Sequence, residues 1–195
     1  MKRLVKTSLV IVVMFATMVS YANEFPLLTK ERTKIVKDIT FENVKQGSLL
    51  IIKDSNEMIL YKELIEKSGA YSKGFDLTAL PDGDYYFELD KEVVIAIRPF
   101  KVKDNSVEFK KDEEYKIFKP VVYVKGKKVY VTRMSLIKNP IEIKVYDEDD
   151  HLVFSEKIEE ATSLGKIYNF SKVKEGNYNI ILKSEGRTFK NSIKI

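Results

Sequence analysis

The sequence predicts an all-β fold of two tandem Ig-like antiparallel β-sandwich domains, related by internal duplication and preceded by a signal peptide. Three observations predict it. Apolar and polar residues alternate with period two in many short segments, turn residues separate these segments, and the chain aligns with itself at an offset of 93 residues. No stretch of useful length keeps a helical period with caps, so helix is expected to be scarce.

The offset of 93 residues aligns the best patterned stretches of the two halves without a gap. Apolar positions meet apolar positions, Asp54 meets Asp147, and Gly83 meets Gly176. Residue types match over about 40 positions, which indicates duplication. The matched apolar and aromatic positions include Leu50 with Ile143, Ile52 with Val145, Leu60 with Val153, Tyr61 with Phe154, and Tyr85 with Tyr178.

Each half contains the signal of a β-hairpin. Residues 141–146 alternate apolar and polar side chains, residues 147–150 favour a turn, and residues 152–154 resume the apolar pattern. Residues 51–61 repeat this scheme in the first half. Short strands separated by turns at intervals of about 8–12 residues are typical of a sandwich or barrel, and the number of strand-like segments favours the sandwich.

We expect two domains and a removable leader. Residues 23–118 form the first repeat in this interpretation, and residues 119–195 form the second. Three basic residues fall within the first six positions, an uncharged apolar stretch follows at residues 7–19, and Ser20 and Ala22 are small residues at the positions that a signal peptidase reads. Residues 1–22 are therefore predicted to be a signal peptide, and because their apolar core is shorter than the about 20 residues of a spanning helix, no transmembrane anchor is expected after cleavage.

Loss of the leader changes the charge of the chain. The formal net charge is +5, from 34 basic and 29 acidic residues, and the leader contains three basic residues and no acidic one, so the mature chain has 31 − 29 = +2. This near balance argues against a nucleic-acid partner. The chain has no cysteine, so exported domains of this sequence are expected to fold without disulfides and without an acylated cysteine.

Few residues suggest chemistry. Asp147, Asp149 and Asp150 are calcium candidates, because calcium prefers several oxygen ligands, and the alternative is a solvated turn. His151 is the single histidine and has no cysteine or second histidine with which to form a zinc site. The sequence has no P-loop, nucleophile elbow or dinucleotide-binding glycine pattern. We therefore expect no catalytic residue, no cofactor and no enzyme activity.

The aromatic residues are expected to serve the core. The chain has 11 tyrosines, 11 phenylalanines and no tryptophan. Tyr61, Tyr85, Phe154 and Tyr178 occupy repeat-equivalent positions, which is the pattern of core packing rather than of a platform for stacking sugars.

Residues 139–195 contain a recognisable order of motifs. These are Asn139-Pro140, Ile143-Lys144-Val145-Tyr146-Asp147, Leu152-Val153-Phe154, Tyr168-Asn169-Phe170-Ser171, Gly176-Asn177-Tyr178 and the stretch from Arg187 to Ile195. This order resembles the C-terminal sorting domains of the type IX secretion system of Bacteroidota. The resemblance implies a β-sandwich in a secreted or cell-envelope protein, with a C-terminal unit that directs export across the outer membrane.

Three functions stay open at this point. The first is an exported non-catalytic module for interaction, adhesion or structure in the bacterial envelope or exterior, with a protein or glycan partner. The second is a type IX secretion cargo whose residues 139–195 are the sorting signal. The third is a glycan-binding protein or a small hydrolase, for which the separation of carboxylates in space would be decisive.

Overall fold

The computed structural model describes residues 37–195, apart from the side chains of residues 160 and 161, so the predicted signal peptide lies outside the described residues. This part of the chain is built of antiparallel strands, with two short 3-10 turns at Leu77–Ala79 and Lys111–Glu113, which confirms the all-β prediction. None of its helical segments is long and apolar enough to cross a membrane. The strands are β1 (Lys37–Val44), β2 (Leu49–Asp54), β3 (Ile59–Leu64), β4 (Gly69–Phe75), β5 (Gly83–Asp90), β6 (Val94–Lys103), β7 (Ser106–Phe109), β8 (Tyr115–Phe118), β9 (Val121–Lys125), β10 (Lys128–Tyr146), β11 (Leu152–Asn169), β12 (Asn177–Ser184) and β13 (Arg187–Lys194).

The first unit, β1 to β8, is a sandwich of unequal sheets. Strands β1 and β4 form a two-stranded sheet that packs on a larger sheet of order β3-β2-β5-β6, and both β7 and β8 pair with β6. Apolar side chains of both sheets meet in one buried cluster. The Phe87 ring lies 5.3 Å from Phe75 of the small sheet and 5.1 Å from Phe100 of its own sheet, so aromatic contacts connect the two layers.

The second unit, β9 to β13, forms its two layers from two long strands. Residues 128–134 of β10 pair with β9 and with the end of β11, whereas residues 141–146 pair with the start of β11 and with β12. The pairing of β10 with β11 is irregular between Met134 and Ile141. This irregular stretch lets both halves of β10 direct the same face to one core, in which Val131 and Ile143 are fully buried.

The two units share their strand pairing at the offset of 93 residues. The pairing of β2 with β5 corresponds to that of β10 with β12, and the pairing of β5 with β6 corresponds to that of β12 with β13. This common register supports internal duplication, which stays a proposal. The equivalent pairs include Leu49–Asp90 with Glu142–Lys183, and Asp84–Lys101 with Asn177–Lys194.

Both units also contain a tyrosine corner. The Tyr85 hydroxyl donates a hydrogen bond to the carbonyl of Pro81 (2.8 Å), and the Tyr178 hydroxyl donates one to the carbonyl of Lys174 (2.6 Å). Both rings are buried, as predicted for these two positions. A tyrosine bonded to the backbone a few residues upstream is a recurrent feature of β-sandwiches, where it fixes the entry to a strand.

A buried charge network joins the two units. The Glu88 carboxylate lies on the outer face of β5, with 5% of its side chain exposed. It accepts hydrogen bonds from Lys53 Nζ of β2 (3.0 Å) and from Arg187 NH2 of β13 (2.7 Å). A buried carboxylate is tolerated when cations compensate it, and here each unit supplies one.

Apolar contacts surround this network. Ile95, Ile97 and Ile117 are buried on the outer face of the large sheet and pack with Tyr86 and with Phe189 of β13. Strand β13 of the second unit therefore packs on part of the outer face of the first unit. The orientation of the units is set by packing as well as by charge.

Replacing Arg187 should weaken the junction. For Arg187→Met we expect a loss of about 1–3 kcal/mol in the free energy of unfolding, because Glu88 stays buried and keeps only Lys53. Urea unfolding, followed by tyrosine fluorescence, measures this free energy.

Lys45→Met is the matched control: it breaks the Lys45–Glu92 ion pair, whose side chains are 73% and 68% exposed. Exposed pairs contribute little, so the control should lose much less stability than Arg187→Met. Equal losses in the two variants would contradict the role of the network.

Candidate interaction surface

Strand β11 is an open edge of the second unit. Within residues 37–195 it pairs only with β10, so one row of its backbone amides and carbonyls has no strand beside it. At its start, Leu152, Val153 and Phe154 are 53%, 47% and 41% exposed. A contiguous set of exposed apolar side chains on a soluble domain is typical of an interaction site.

A groove of about 320 Å³ lies beside this edge, and we call it the β11 groove. Val145 and Phe170 contribute buried side chains to it, and Ile167 contributes a side chain that is 60% exposed. The groove is therefore apolar and open to solvent. Its lining residues are Val145, Val153, Phe154, Ile167, Tyr168, Asn169, Phe170 and Val173.

An ion pair and an aromatic pair hold one wall of the groove in place. The Glu156 carboxylate accepts hydrogen bonds from Lys166 Nζ (2.6 Å) and from the Tyr168 hydroxyl (3.0 Å). The Lys166 ammonium holds the pKa of Glu156 below its usual range, against the opposing effect of desolvation. Burial raises the pKa of Tyr168, so this phenol stays protonated and donates to Glu156. The Tyr168 ring lies 5.3 Å from the ring of Phe154.

The prediction that Phe154 lies in the core is wrong. It is 41% exposed, whereas its counterpart Tyr61 in the first unit is half-buried against the core, 5.3 Å from the Phe75 ring. One reason is the size of the neighbouring side chains. Val173 stands where the first unit has Leu80, which packs on the first core. The smaller side chain leaves space that the second unit does not fill itself.

The acidic turn after β10 is organised by its own hydrogen bonds. Asp147 Oδ1 accepts the backbone amides of Asp149 (3.0 Å) and His151 (2.9 Å). Asp54 makes the same two bonds, both 2.9 Å, to the amides two and four residues ahead in the first unit. The turn of the first unit therefore has the same geometry but fewer acidic residues.

The predicted calcium candidates fall in this turn. Ligand atoms of Asp147, Asp149 and His151 lie within 4.8 Å of one another, and Asp150 is outside that group. Two carboxylates and an imidazole nitrogen are a small donor set for calcium, which prefers six to eight oxygen ligands. The His151 side chain is 77% exposed, with Nδ1 3.4 Å from Asp147 Oδ2. The hydrogen bonds of the turn account for this arrangement, and calcium binding stays a prediction.

Comparison with known proteins adds little to this description. No protein-family model and no curated protein sequence matches the chain. Twelve chains of solved structures match it. One is a biofilm-associated protein BSP domain, with 15% identity over 87% of this chain and a TM-score of 0.28, and this chain spans 30% of the length of that one. Another is a chain from a structure described as the structural basis of neurohormone perception by the receptor tyrosine kinase Torso, with 12% identity, coverage of 85% of this chain and 74% of that one, and a TM-score of 0.27. These TM-scores are too low to support an argument about structure or function.

The Asp147 carboxylate should stabilise the turn in a pH-dependent way. The backbone amide of His151, followed by that of Asp149, holds the pKa of Asp147 below its usual range. A carboxyl whose pKa is lower in the folded state stabilises the fold above its unfolded pKa of about 3.9, and this stabilisation is lost as the pH falls through the folded pKa. The difference in unfolding temperature between the unsubstituted chain and Asp147→Asn should therefore shrink below about pH 4. Asp150 accepts neither of these amides. Asp150→Asn removes a charge from the same turn but leaves these hydrogen bonds, so its unfolding temperature should not show the same dependence on pH.

Proposed function

We propose that this protein is an exported, non-catalytic interaction module that binds an extended segment of a partner protein along β11. The observation that carries the proposal is the β11 groove, an apolar groove beside an open edge strand. The open backbone groups of such an edge pair with an added strand, and neighbouring pockets select its alternate side chains.

Comparison with the first unit indicates which apolar side chains the β11 groove lacks. There the equivalent space is filled by the chain itself, since Leu60, Tyr61 and Leu80 pack against the first core. In the second unit, Val153 and Phe154 at the equivalent positions are largely exposed. An apolar side chain from a partner strand would bury this surface, and burial of apolar area is the main favourable term in association.

The chemistry of the polar groups favours binding over catalysis. The single histidine is exposed on a turn, and the carboxylate that faces it, Asp147, already accepts two backbone amides. The Glu156–Lys166 pair beside the groove has a tyrosine partner and a structural counterpart in Glu63–Lys73 (2.6 Å), so it belongs to the fold.

Blocking the groove should release the partner. In native envelope extracts, size-exclusion chromatography should show the mature chain in a complex larger than the purified chain. Val153→Lys places a charge in the groove, so this variant should elute at the size of the purified chain. Val93→Lys is the matched control, because Val93 is 53% exposed and lies in the first unit, and it should elute like the unsubstituted chain. A complex that survives Val153→Lys would overturn the proposal, and so would a purified chain that forms the complex by itself.

A second candidate is the type IX cargo that the motifs of residues 139–195 suggest. Residue 139 lies inside β10, so removing residues 139–195 would leave β9 and half of β10 without a core. Removing residues 121–195 deletes whole strands and gives the sharper test. Cell fractionation with surface-protease shaving should then find the shortened chain retained in the periplasm. Unchanged secretion would contradict a sorting role.

A further inference from the structure

The outer face of the second unit's sheet is rich in lysine. Side chains alternate along β10, β12 and β13, with the apolar members in the core and the polar members outside. The lysines that point outward are Lys144, Lys157, Lys183, Lys190 and Lys194, and the acidic residues on the same face are Glu142 and Glu159. The face therefore has a net charge of 5 − 2 = +3, although the predicted mature chain has only +2 in total.

The register places these lysines in rows across the strands. Glu142 of β10 lies between Lys157 of β11 and Lys183 of β12. In the next row, Lys144 and Lys190 flank Ile181. Neighbouring strands are about 4.8 Å apart, so the two lysines of a row are separated by about 10 Å at the backbone.

The lysines of this face lower the pKa of Glu142. Lys144 Nζ lies 2.7 Å from Glu142 Oε1. This hydrogen bond, with the charges of Lys144, Lys183 and Lys157, lowers the pKa of the Glu142 carboxyl. Lys157 is also paired with Glu159 (3.0 Å), so the five lysines of this face share two carboxylates, which leaves positive charge available to an external anion.

A groove of about 450 Å³ runs along the same face, and we call it the lysine groove. Lys157, Lys183 and Thr188 line it together with Asn139, whose Nδ2 is buried and has no hydrogen-bond partner among the described residues. Of the other charged groups there, Glu185 is paired with the buried Arg133 (2.8 Å) and Arg187 is paired with Glu88. The other charged groups that line the groove are Lys157, Lys183 and the Glu142 carboxylate, so cations outnumber anions there.

The first unit uses the equivalent face as an interface. At the offset of 93 residues, Lys144 corresponds to Ile51, Ile181 to Glu88 and Lys190 to Ile97, all of which are buried. That face is covered by β13, whereas in the second unit it is open and basic. The same surface of the same fold is therefore a contact surface in one unit and a charged, uncovered surface in the other.

We propose that the lysine groove and the rows of lysine beside it bind an acidic polysaccharide, through its carboxylate or sulfate groups. The flat rows of lysine suit an extended polyanion that crosses the strands. Tyr146 is the one aromatic residue among the outward positions of residues 142–146, β12 and β13, so the lysine rows lack the successive rings on which single-stranded nucleic acid stacks. Ile181, which lies between Lys144 and Lys190, is half-buried, so it offers no exposed apolar side chain for insertion into a bilayer.

Fluorescence anisotropy with labelled alginate oligomers, a carboxylated polysaccharide, tests this proposal on the full mature chain. Alginate should bind, neutral dextran should not, and the alginate affinity should fall from low to physiological salt because exposed charges are screened within about 8–10 Å. The triple variant Lys157→Gln, Lys183→Gln, Lys190→Gln should weaken alginate binding about tenfold or more, since three cations that face the polyanion are lost. Glu142→Gln should tighten binding about two- to fivefold, because it removes the carboxylate that competes for the same lysines.

A second triple variant controls for net charge. Lys67→Gln, Lys101→Gln, Lys103→Gln removes three exposed lysines from the first unit and should leave alginate binding within about twofold. Equal weakening by both triple variants would overturn the proposal, as would a Glu142→Gln variant without tighter binding. Tighter binding of duplex DNA or of phosphatidylglycerol vesicles than of alginate would also overturn it. Val153→Lys should leave alginate binding unchanged, so this result is independent of the β11 groove.

Discussion

The relative position of the two units depends on one buried carboxylate. Glu88 lies in the contact between them, and its charge is compensated by Lys53 from its own sheet and by Arg187 from β13. Separating the units would remove Arg187 from Glu88 and expose the apolar side chains around it. The chain has no disulfide and does not need one at this point, because charge pairing and apolar contact act on the same small area.

This contact determines which surfaces are available. Because β13 packs on the outer face of the first unit's large sheet, part of that face is occupied by the second unit. The open surfaces of the second unit are the edge of β11 and the outer face of β10, β12 and β13. The two surfaces differ in chemistry, one apolar and one basic, so the second unit can present two kinds of contact.

Much of the local structure could be predicted from the sequence, because it depends on neighbouring residues. The alternation of residues 141–146, the turn that follows and the burial of Tyr85 and Tyr178 are confirmed. The contact of Arg187 with Glu88 could not be predicted, since it joins residues 99 positions apart in different units. The rows of lysine also needed the strand order, because Lys157 and Lys183 become neighbours of Glu142 only when β10 lies between β11 and β12.

The continuous strands β10 and β11 also affect the order in which the second unit assembles. The pair is a single long hairpin that closes at residues 147–150 and extends to the pairing of Lys128 with Asn169. Once the turn has formed, each further residue pair between β10 and β11 closes only a short additional loop. In the first unit, β1 and β4 pair across the intervening hairpin of β2 and β3. The second unit is therefore expected to form from its turn outward and to offer β12 a preformed strand on which to pair.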